Sequence, residues 1–129
     1  METSALLKEA AAAAAQAHCP YSKFPVGAAL LATDGTVTRG CNVENASFGL
    51  TVCAERTAVG SAVVAGKRTF TALAIVGGKD KPVPPCGACR QVLAEFCGPD
   101  LVIVLAAPGQ LDAPVETTLG DLLPEAFSL

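Results

Sequence analysis

Two short stretches organise this sequence, CAER at residues 53–56 and PCGACR at residues 85–90. Each stretch opens a predicted helix, where exposed N–H groups and the positive end of the helix dipole favour the thiolate form of cysteine. A catalytic zinc ion takes three ligands from the protein and leaves its fourth position for water. The three cysteines available for this purpose are Cys53, Cys86 and Cys89. The pattern therefore predicts one Zn²⁺ per chain, with Glu55 beside the water as a proton carrier.

The three remaining cysteines leave two alternatives open. Six cysteines suffice for three disulfides, but disulfide scaffolds are usually shorter and denser in cysteine than this chain of 129 residues. A Cys-x-x-Cys pair in a longer chain more often indicates metal or redox chemistry. The second alternative is a structural zinc site closed by a fourth thiolate, from Cys41 or Cys97, which would leave no position for water and permit no hydrolysis.

The composition is apolar for a small protein, with 51% hydrophobic and 16% charged residues. An oligomer would bury the excess apolar surface. The formal net charge is −3, and the nine lysines and arginines are scattered, so no basic stripe is present to follow a phosphate backbone. A nucleic-acid partner is therefore disfavoured, and a small uncharged substrate is favoured.

The N-terminal residues lack the features of a secretion signal. Glu2 and Glu9 are acidic, no cationic segment is present, and the alanine run at residues 10–15 is too weakly apolar for the core of a signal peptide. No stretch of about 18 apolar residues occurs that would cross a membrane. We therefore expect a cytoplasmic protein that makes no membrane contact.

The hydrophobic pattern predicts three helices and five strands. Thr3 or Ser4 is expected to cap the first helix and Pro20 to follow its end. Asp34-Gly35 is expected to form a two-residue hairpin turn. The predicted helices span residues 3–17, 53–65 and 87–97, and the predicted strands span residues 26–33, 36–41, 70–76, 101–106 and 114–118, with a loop at residues 42–52.

These elements predict an α/β fold in a single domain over residues 1–129. Strands two, three and four are joined by helices, so they run parallel with right-handed crossovers. The last connection is too short for a crossover, so the fifth strand returns antiparallel. If the first hairpin lies beside strand three, the result is a three-layer α/β/α fold with a five-stranded mixed sheet of order 2-1-3-4-5. Both crossover helices then lie on one face, with their N-termini above the carboxyl ends of the strands, where open α/β sheets bind ligands.

Four longer motifs surround the cysteine pattern: PYSKFPVGAA at residues 20–29, GCNVENASFG at 40–49, TVCAERTA at 51–58 and LLPEAF at 122–127. Together with Cys-x-Glu and Pro-Cys-x-x-Cys, they resemble the small homotetrameric zinc-dependent cytidine deaminases over almost the whole chain. The resemblance implies the cytidine deaminase-like fold and a homotetramer. It also implies hydrolytic deamination of cytidine and deoxycytidine to uridine and deoxyuridine with release of ammonia, a reaction of pyrimidine salvage.

The resemblance implies a role for each expected site residue. Glu55 is the catalytic residue, which takes a proton from the water that attacks C4 of the pyrimidine and delivers protons to N3 and the departing amine. Arg56 donates to the cysteine sulfurs and offsets their negative charge. The expected substrate contacts are Asn42 and Glu44 at the ribose, Phe24 and the Ala54 backbone at the base, and Phe48 and Phe127 toward a neighbouring subunit. Position 48 is Phe where the family often has Tyr, so this chain has no side-chain hydroxyl there.

Without the resemblance, simpler interpretations of these residues stay open. Glu55 would be an acidic residue in the first turn of a helix, Arg56 a surface arginine and residues 42–45 a polar turn. Competing functions are a nucleoside-analogue deaminase of the blasticidin S type, a structural zinc module and a nucleic-acid editing enzyme. The Asn42/Glu44 pair and Phe127 favour cytidine over the first of these, and the acidic net charge disfavours the last.

Overall fold

The computed structural model describes all residues 1–129, and its elements follow the predicted order. The helices are α1 (Thr3–Ala14), α2 (Ala54–Val64), α3 (Gly87–Phe96) and α4 (Leu119–Leu122). The strands are β1 (Val26–Ala32), β2 (Val37–Cys41), β3 (Phe70–Gly77), β4 (Val102–Ala106) and β5 (Val115–Thr118). A short 3₁₀ turn lies at Phe48–Leu50. None of the helices is long and apolar enough to cross a membrane.

The first helix is shorter than predicted and lacks the predicted cap. Its N-cap residue is Glu2, so neither Thr3 nor Ser4 caps it. The helix ends at Ala14 because the chain then tightens into a turn, in which the N–H of Ala17 bonds to the carbonyl of Ala14 at 3.1 Å. Neither α4 nor the 3₁₀ turn is predicted from the sequence, since segments this short carry no detectable periodicity.

The hairpin between β1 and β2 has a three-residue loop, so the predicted two-residue turn is wrong. The N–H of Ala32 bonds to the carbonyl of Thr36 at 2.9 Å, which leaves residues 33–35 in the loop. Gly35 is left-handed, with φ of +90°, while Asp34 is not. A two-residue type I′ turn would need a positive φ at both. The Asp34 carboxylate instead accepts the N–H of Thr36 at 3.0 Å and closes the loop.

The five strands form one mixed sheet in the predicted order, β2-β1-β3-β4-β5. β1 lies antiparallel to both β2 and β3, and β5 lies antiparallel to β4. β3 and β4 are parallel and are joined by α3. Because β2, β3 and β4 point the same way, their carboxyl ends share one edge of the sheet, as predicted.

Helices cover both faces of the sheet, which confirms the three-layer α/β/α prediction. On one face, Leu7 of α1 is fully buried in a cluster with Val76 and Val104 of the sheet. On the other face, Val59 of α2 and Leu93 of α3 belong to a second buried cluster. α2 and α3 also contact each other, so their first turns lie together at the carboxyl edge.

Gly40 in β2 allows α2 to lie close to the sheet. A Cβ at this position would stand 2.3 Å from the carbonyl oxygen of Ala54 and 2.4 Å from the backbone nitrogen of Ala58. Thr57 ties the same two elements together, because its hydroxyl donates to the carbonyl oxygen of Cys41 at 2.7 Å. The N-terminus of α2 is therefore fixed against the end of β2.

Gly40→Ala is expected to destabilise the fold, because the atoms it would meet belong largely to the backbone. Overpacking a core costs about 1–3 kcal/mol, occasionally more, and this clash should lie at the upper end. Gly60→Ala is the matched control: Gly60 lies in α2 with nothing within 4 Å of an added Cβ, and alanine there should add up to about 1 kcal/mol. Urea unfolding measures both variants, and equal stabilities would contradict the close approach.

Candidate active site

The N-termini of α2 and α3 bring together the three cysteines of the opening motifs. Cys53 is the N-cap residue of α2, Cys86 is that of α3, and Cys89 lies in the first turn of α3. The Sγ atoms of Cys53 and Cys86, 33 positions apart in sequence, are separated by 3.8 Å. Those of Cys86 and Cys89 are separated by 3.4 Å. All three sulfur atoms lie within 4.8 Å of one another, so the cysteines converge as the topology predicts.

The geometry and chemistry of these thiols fit a zinc ion. A tetrahedral site with Zn–S bonds of about 2.3 Å has sulfur atoms about 3.8 Å apart. Although burial opposes it, hydrogen bonding with the backbone N–H and the side chain of Cys89 lowers the pKa of the Cys86 thiol. Burial and the nearby Glu55 carboxylate raise the pKa of the Cys89 thiol. A cation that prefers thiolates supplies the positive charge needed to keep this buried sulfur ionised.

No fourth thiol joins this group. The three sulfur atoms form the only cluster of three or more potential metal ligands. The Cys41 thiol instead faces the carbonyl oxygen of Gln16 at 3.7 Å. Cys97 lies at the opposite end of α3 from Cys86, where burial raises the pKa of its thiol to about 11. The alternative of a closed four-cysteine site is therefore wrong, and three ligands is the number that catalytic zinc sites take from the protein.

Arg56 places positive charge beside the sulfur atoms. Its Nη2 donates to Cys53 Sγ at 3.5 Å. Hydrogen bonds to the thiols of Cys53 and Cys89 raise the pKa of the Arg56 guanidinium above its usual range. Its Nε is buried without a hydrogen-bond partner. The guanidinium therefore stands where it can offset part of the charge of three thiolates.

Glu55 is a buried carboxyl group next to the cysteines, and the residue is 4% exposed. Burial raises the pKa of the Glu55 carboxyl, and the smaller effects of its own N–H, Cys89 and Arg56 oppose this shift. A carboxyl group with a raised pKa changes protonation state nearer to neutral pH, which suits it to accept and to donate protons.

A cavity of about 330 Å³ opens beside Glu55, Cys53 and Cys86. This volume lies in the range of small-molecule sites, which combine apolar walls with a few placed polar groups. Ile75 and Val83 contribute to the apolar walls. Four of the six predicted substrate contacts line the same cavity: Phe24, Asn42, Glu44 and Ala54. The structure thus brings these four together with the cysteines and Glu55.

Asn42 shapes one wall of the cavity through the backbone that it holds. Its Oδ1 accepts the N–H of Val26, and its Nδ2 donates to the carbonyl oxygen of Phe24, both at 2.9 Å. The residue is 9% exposed, and it follows directly on β2. Asn42 therefore fixes the chain around Phe24 against the carboxyl end of β2.

The Glu44 carboxylate binds the chain at residues 21 and 22. Its Oε1 accepts the backbone N–H groups of Tyr21 and Ser22, each at 3.1 Å. Its Oε2 accepts the Ser22 hydroxyl. These hydrogen bonds, above all that from the Ser22 hydroxyl, hold the pKa of the Glu44 carboxyl below its usual range. A negative charge is therefore present on this wall at neutral pH.

Two of the predicted substrate contacts lie outside the cavity of their own chain. Phe48 is 73% exposed and meets Tyr21 edge-to-face, with ring centroids 5.7 Å apart. It lines a surface depression that adjoins the cavity at Glu44. Phe127 is 69% exposed, and its carbonyl oxygen accepts from Gln91 Nε2 at 3.2 Å. Neither ring reaches the cavity within one subunit.

The structure also shows site residues that the sequence alone does not single out. Ser22 and Thr51 are polar residues that line both the cavity and the adjoining depression. Arg90 connects the turn before Cys86 to the C-terminal segment, because its guanidinium donates to the carbonyl oxygens of Pro85 and Leu122, each at 2.7 Å. Their positions in the sequence could have indicated them, because Ser22 and Thr51 lie within the motifs at residues 20–29 and 51–58, and Arg90 follows Cys89.

Residues 1–105 match the model of one protein family, the cytidine and deoxycytidylate deaminase zinc-binding region. The chain belongs to this family of cytidine deaminases. The matched span contains the three cysteines and Glu55. As a cytidine deaminase family member the chain is a zinc-dependent hydrolase, which confirms the zinc prediction, and the cluster of three cysteines fits that ion.

Two cytidine deaminases are similar to this family member over nearly its full length. The cytidine deaminase of Sporosarcina psychrophila is 53% identical over 129 residues, covering 99% of this chain and 93% of that protein. The crystal structure of cytidine deaminase from Burkholderia pseudomallei superposes with a TM-score of 0.92 at 52% identity, covering 98% of this chain and 100% of that one. Blasticidin-S deaminase from Bacillus cereus is more distant, with 33% identity over 115 residues, 83% of this chain and 79% of that protein.

Proposed function

We propose that this chain catalyses the hydrolytic deamination of cytidine and deoxycytidine, giving uridine or deoxyuridine and ammonia. The observation that carries this proposal is the buried Glu55 carboxyl beside three converging thiols in a cavity of about 330 Å³. A carboxyl group next to a metal-ligand set is the arrangement that water-dependent removal of an exocyclic amine requires.

Glu55 is proposed to carry the protons of the reaction. It accepts one proton from the attacking water as the new C–O bond forms at C4 of the pyrimidine, and it delivers this proton to N3. It then accepts the remaining proton of the new hydroxyl group and delivers it to the amine, which leaves as ammonia when the C–N bond breaks and the C4 carbonyl forms. Burial of Glu55 supports this role, because it raises the pKa of the carboxyl above its usual value and so favours the uptake of a proton.

Cys53, Cys86 and Cys89 are proposed to hold the zinc ion, which when bound would lower the pKa of a water molecule and make it a better nucleophile. Arg56 is proposed to donate to their sulfur atoms and so to limit the negative charge that three thiolates place at the site.

The substrate contacts are proposed from the cavity wall. Asn42 and Glu44 face the sugar, Phe24 packs near the base and the backbone of Ala54 reads the pyrimidine edge. The Glu44 carboxylate would repel a 5′-phosphate held close by, which supports a nucleoside substrate in place of a nucleotide. The net charge of −3 supports a free nucleoside over a nucleic acid.

A panel of substrates tests the proposal. The ultraviolet band of cytidine should fall on incubation with the zinc-loaded protein, and deoxycytidine should react as well. Blasticidin S, adenosine and guanine serve as parallel substrates and should react far more slowly. Faster turnover of blasticidin S than of cytidine would replace this function with that of a nucleoside-analogue deaminase.

We further propose that the active protein is a homotetramer whose sites are completed across subunit interfaces. Large apolar side chains remain exposed around the cavity and at the C-terminus, where a single subunit offers them no cover. They include Val43, Phe48, Leu50 and Phe127. An aromatic ring contributed to a neighbour's base site would add about 0.5–1.5 kcal/mol of binding.

Truncation after Pro124 is expected to raise KM or to lower turnover without removing zinc, because it deletes Phe127 and no sulfur ligand. Kinetics of the truncated chain give KM and turnover, and elemental analysis gives its zinc content. Sedimentation gives the assembly state of the full chain. Full activity in a monomer would end the proposal of shared sites.

A cytoplasmic role in pyrimidine salvage, in a single domain, completes the proposal. None of the six cysteines forms a disulfide, which supports a reducing compartment. The reaction returns a free nucleoside to the uridine pool, as salvage requires. One continuous sheet with helices on both faces supports a single folding unit over residues 1–129.

A further inference from the structure

The hydroxyl of Ser22 joins two of the proposed substrate contacts. Its Oγ donates to Oε2 of Glu44 and accepts the N–H of Phe24 at 3.1 Å. Its backbone N–H donates to Oε1 of Glu44 at 3.1 Å. All three residues line the cavity. One small side chain therefore sets the positions of a charged group and of an aromatic residue on the same wall.

The turn that carries Ser22 does not follow ordinary backbone preference. Lys23 has a φ of +58°, in the left-handed region that residues with a Cβ rarely adopt. Its N–H bonds to the carbonyl of Cys19 at 3.0 Å. Further restraint comes from Glu44, which accepts the N–H groups of Tyr21 and Ser22. Because such a conformation persists only where its surroundings hold it, the contacts between Ser22 and Glu44 maintain this part of the wall.

Glu44 keeps room for one further hydroxyl. A carboxylate has about four acceptor positions, and the chain occupies two on Oε1 and one on Oε2. The remaining position is therefore on Oε2, the oxygen that accepts from Ser22. A ligand hydroxyl bound there shares its acceptor atom with the Ser22 hydroxyl. The Ser22 contact thus fixes where the free acceptor position of Glu44 points.

We infer that Ser22, given the nucleoside substrate proposed above, is a positioning residue that determines specificity for sugar hydroxyls. It orients Oε2 of Glu44 toward the sugar and favours nucleosides that can donate to it. It does not touch the reacting atoms. Removal of its hydroxyl weakens the binding of hydroxyl-bearing substrates and leaves proton transfer at Glu55 unchanged.

The test compares cytidine with 2′,3′-dideoxycytidine, which lacks both sugar hydroxyls, in variants of the full-length zinc-loaded protein. In Ser22→Ala and Ser22→Gly, KM for cytidine should rise about tenfold, the effect of losing one hydrogen bond to a charged group. The value of kcat should stay within about twofold of the unaltered chain, and KM for the dideoxy analogue should rise much less than KM for cytidine, by the part that Ser22 contributes through Phe24. Ser22→Thr keeps a hydroxyl and should restore most of the preference for cytidine. Ser4→Ala, at an exposed serine of α1, is the matched control and should change neither substrate.

An equal rise in KM for both substrates, or a fall in kcat alone, would overturn the inference, because a purely structural serine affects both substrates alike. The proposed function would stand in that case, since the unaltered chain would still deaminate cytidine. No turnover of cytidine by the unaltered zinc-loaded chain would overturn both. Ser22→Thr keeps the comparison decisive where alanine disturbs the turn, because threonine retains a hydroxyl for the contacts with Glu44 and with the N–H of Phe24.

Discussion

Glu55→Gln is expected to lower kcat for cytidine by about 10²–10⁴-fold or more, while the protein keeps its zinc. Glutamine preserves the size of the side chain and most of its hydrogen bonding. It can neither accept a proton from water nor deliver one to N3 and the amine. Zinc content should not change, because the metal-ligand cluster consists of the three sulfur atoms and does not include Glu55.

Zinc content and turnover are to be measured on the same purified Glu55→Gln protein. Full zinc with nearly unchanged kcat would make Glu55 a first-turn helix residue without a catalytic role. Lost zinc would make it a metal ligand and reopen the assignment of Cys53. Glu95→Gln is the matched control, because Glu95 is an exposed glutamate of α3, and it should change neither zinc content nor turnover.

Cys86→Ala is expected to abolish zinc binding and turnover together. Changes to residues that merely support a ligand already cost about 10–100-fold in metal affinity, so removal of one of only three ligands should cost more. The structure offers no replacement, because no fourth thiol joins the cluster. Elemental analysis after dialysis measures the bound zinc, and the cytidine assay measures turnover.

The other three cysteines provide the control for this loss. Replacement of Cys19, Cys41 or Cys97 by Ala should leave zinc at one ion per chain. Cys97→Ala should lower stability, since the thiol is partly buried against the core, but it should not release metal. Zinc lost in any of these variants and kept in Cys86→Ala would show that the ligand set is wrong.

The fold was largely predictable because its connections leave few choices. Helices between β2, β3 and β4 require parallel strands, and the short link before β5 requires an antiparallel return, so the sheet order follows once the first hairpin is placed. The same topology predicts that Cys53 and the Cys86/Cys89 pair meet at one edge, and their sulfur atoms do. The convergence of cysteines that are distant in sequence was thus easier to predict than the conformation of single turns and helix caps.

The predictions of local geometry were wrong where several conformations of two or three residues compete. Asp34-Gly35 is compatible with a two-residue turn, but the Asp34 side chain binds the N–H of Thr36 and stabilises a longer loop. Thr3 and Ser4 are both good capping residues, yet α1 already begins at Thr3, so neither can cap it. Differences of this size involve about 1 kcal/mol, which sequence patterns do not resolve.

The cavity wall that is proposed to contact the substrate was predictable only in part, because much of it depends on contacts between loops distant in sequence. Ser22 lies on this wall and donates a hydrogen bond to Glu44, which is 22 positions away in sequence. Phe48 and Phe127 lie outside the cavity of their own chain, so their predicted substrate contacts stay predictions about a neighbouring subunit. A pattern in one chain cannot place a ring across an interface.

A zinc titration tests whether three thiolates and Glu55 form a zinc-dependent cytidine deaminase site. The protein is stripped of metal with a chelator, zinc is returned in measured portions, and cytidine turnover is followed after each addition. We predict negligible turnover without zinc and a linear rise that stops at one zinc per chain. Full turnover in the metal-free protein, or no turnover of cytidine at one zinc per chain, would show that these residues do not form a zinc-dependent cytidine deaminase site.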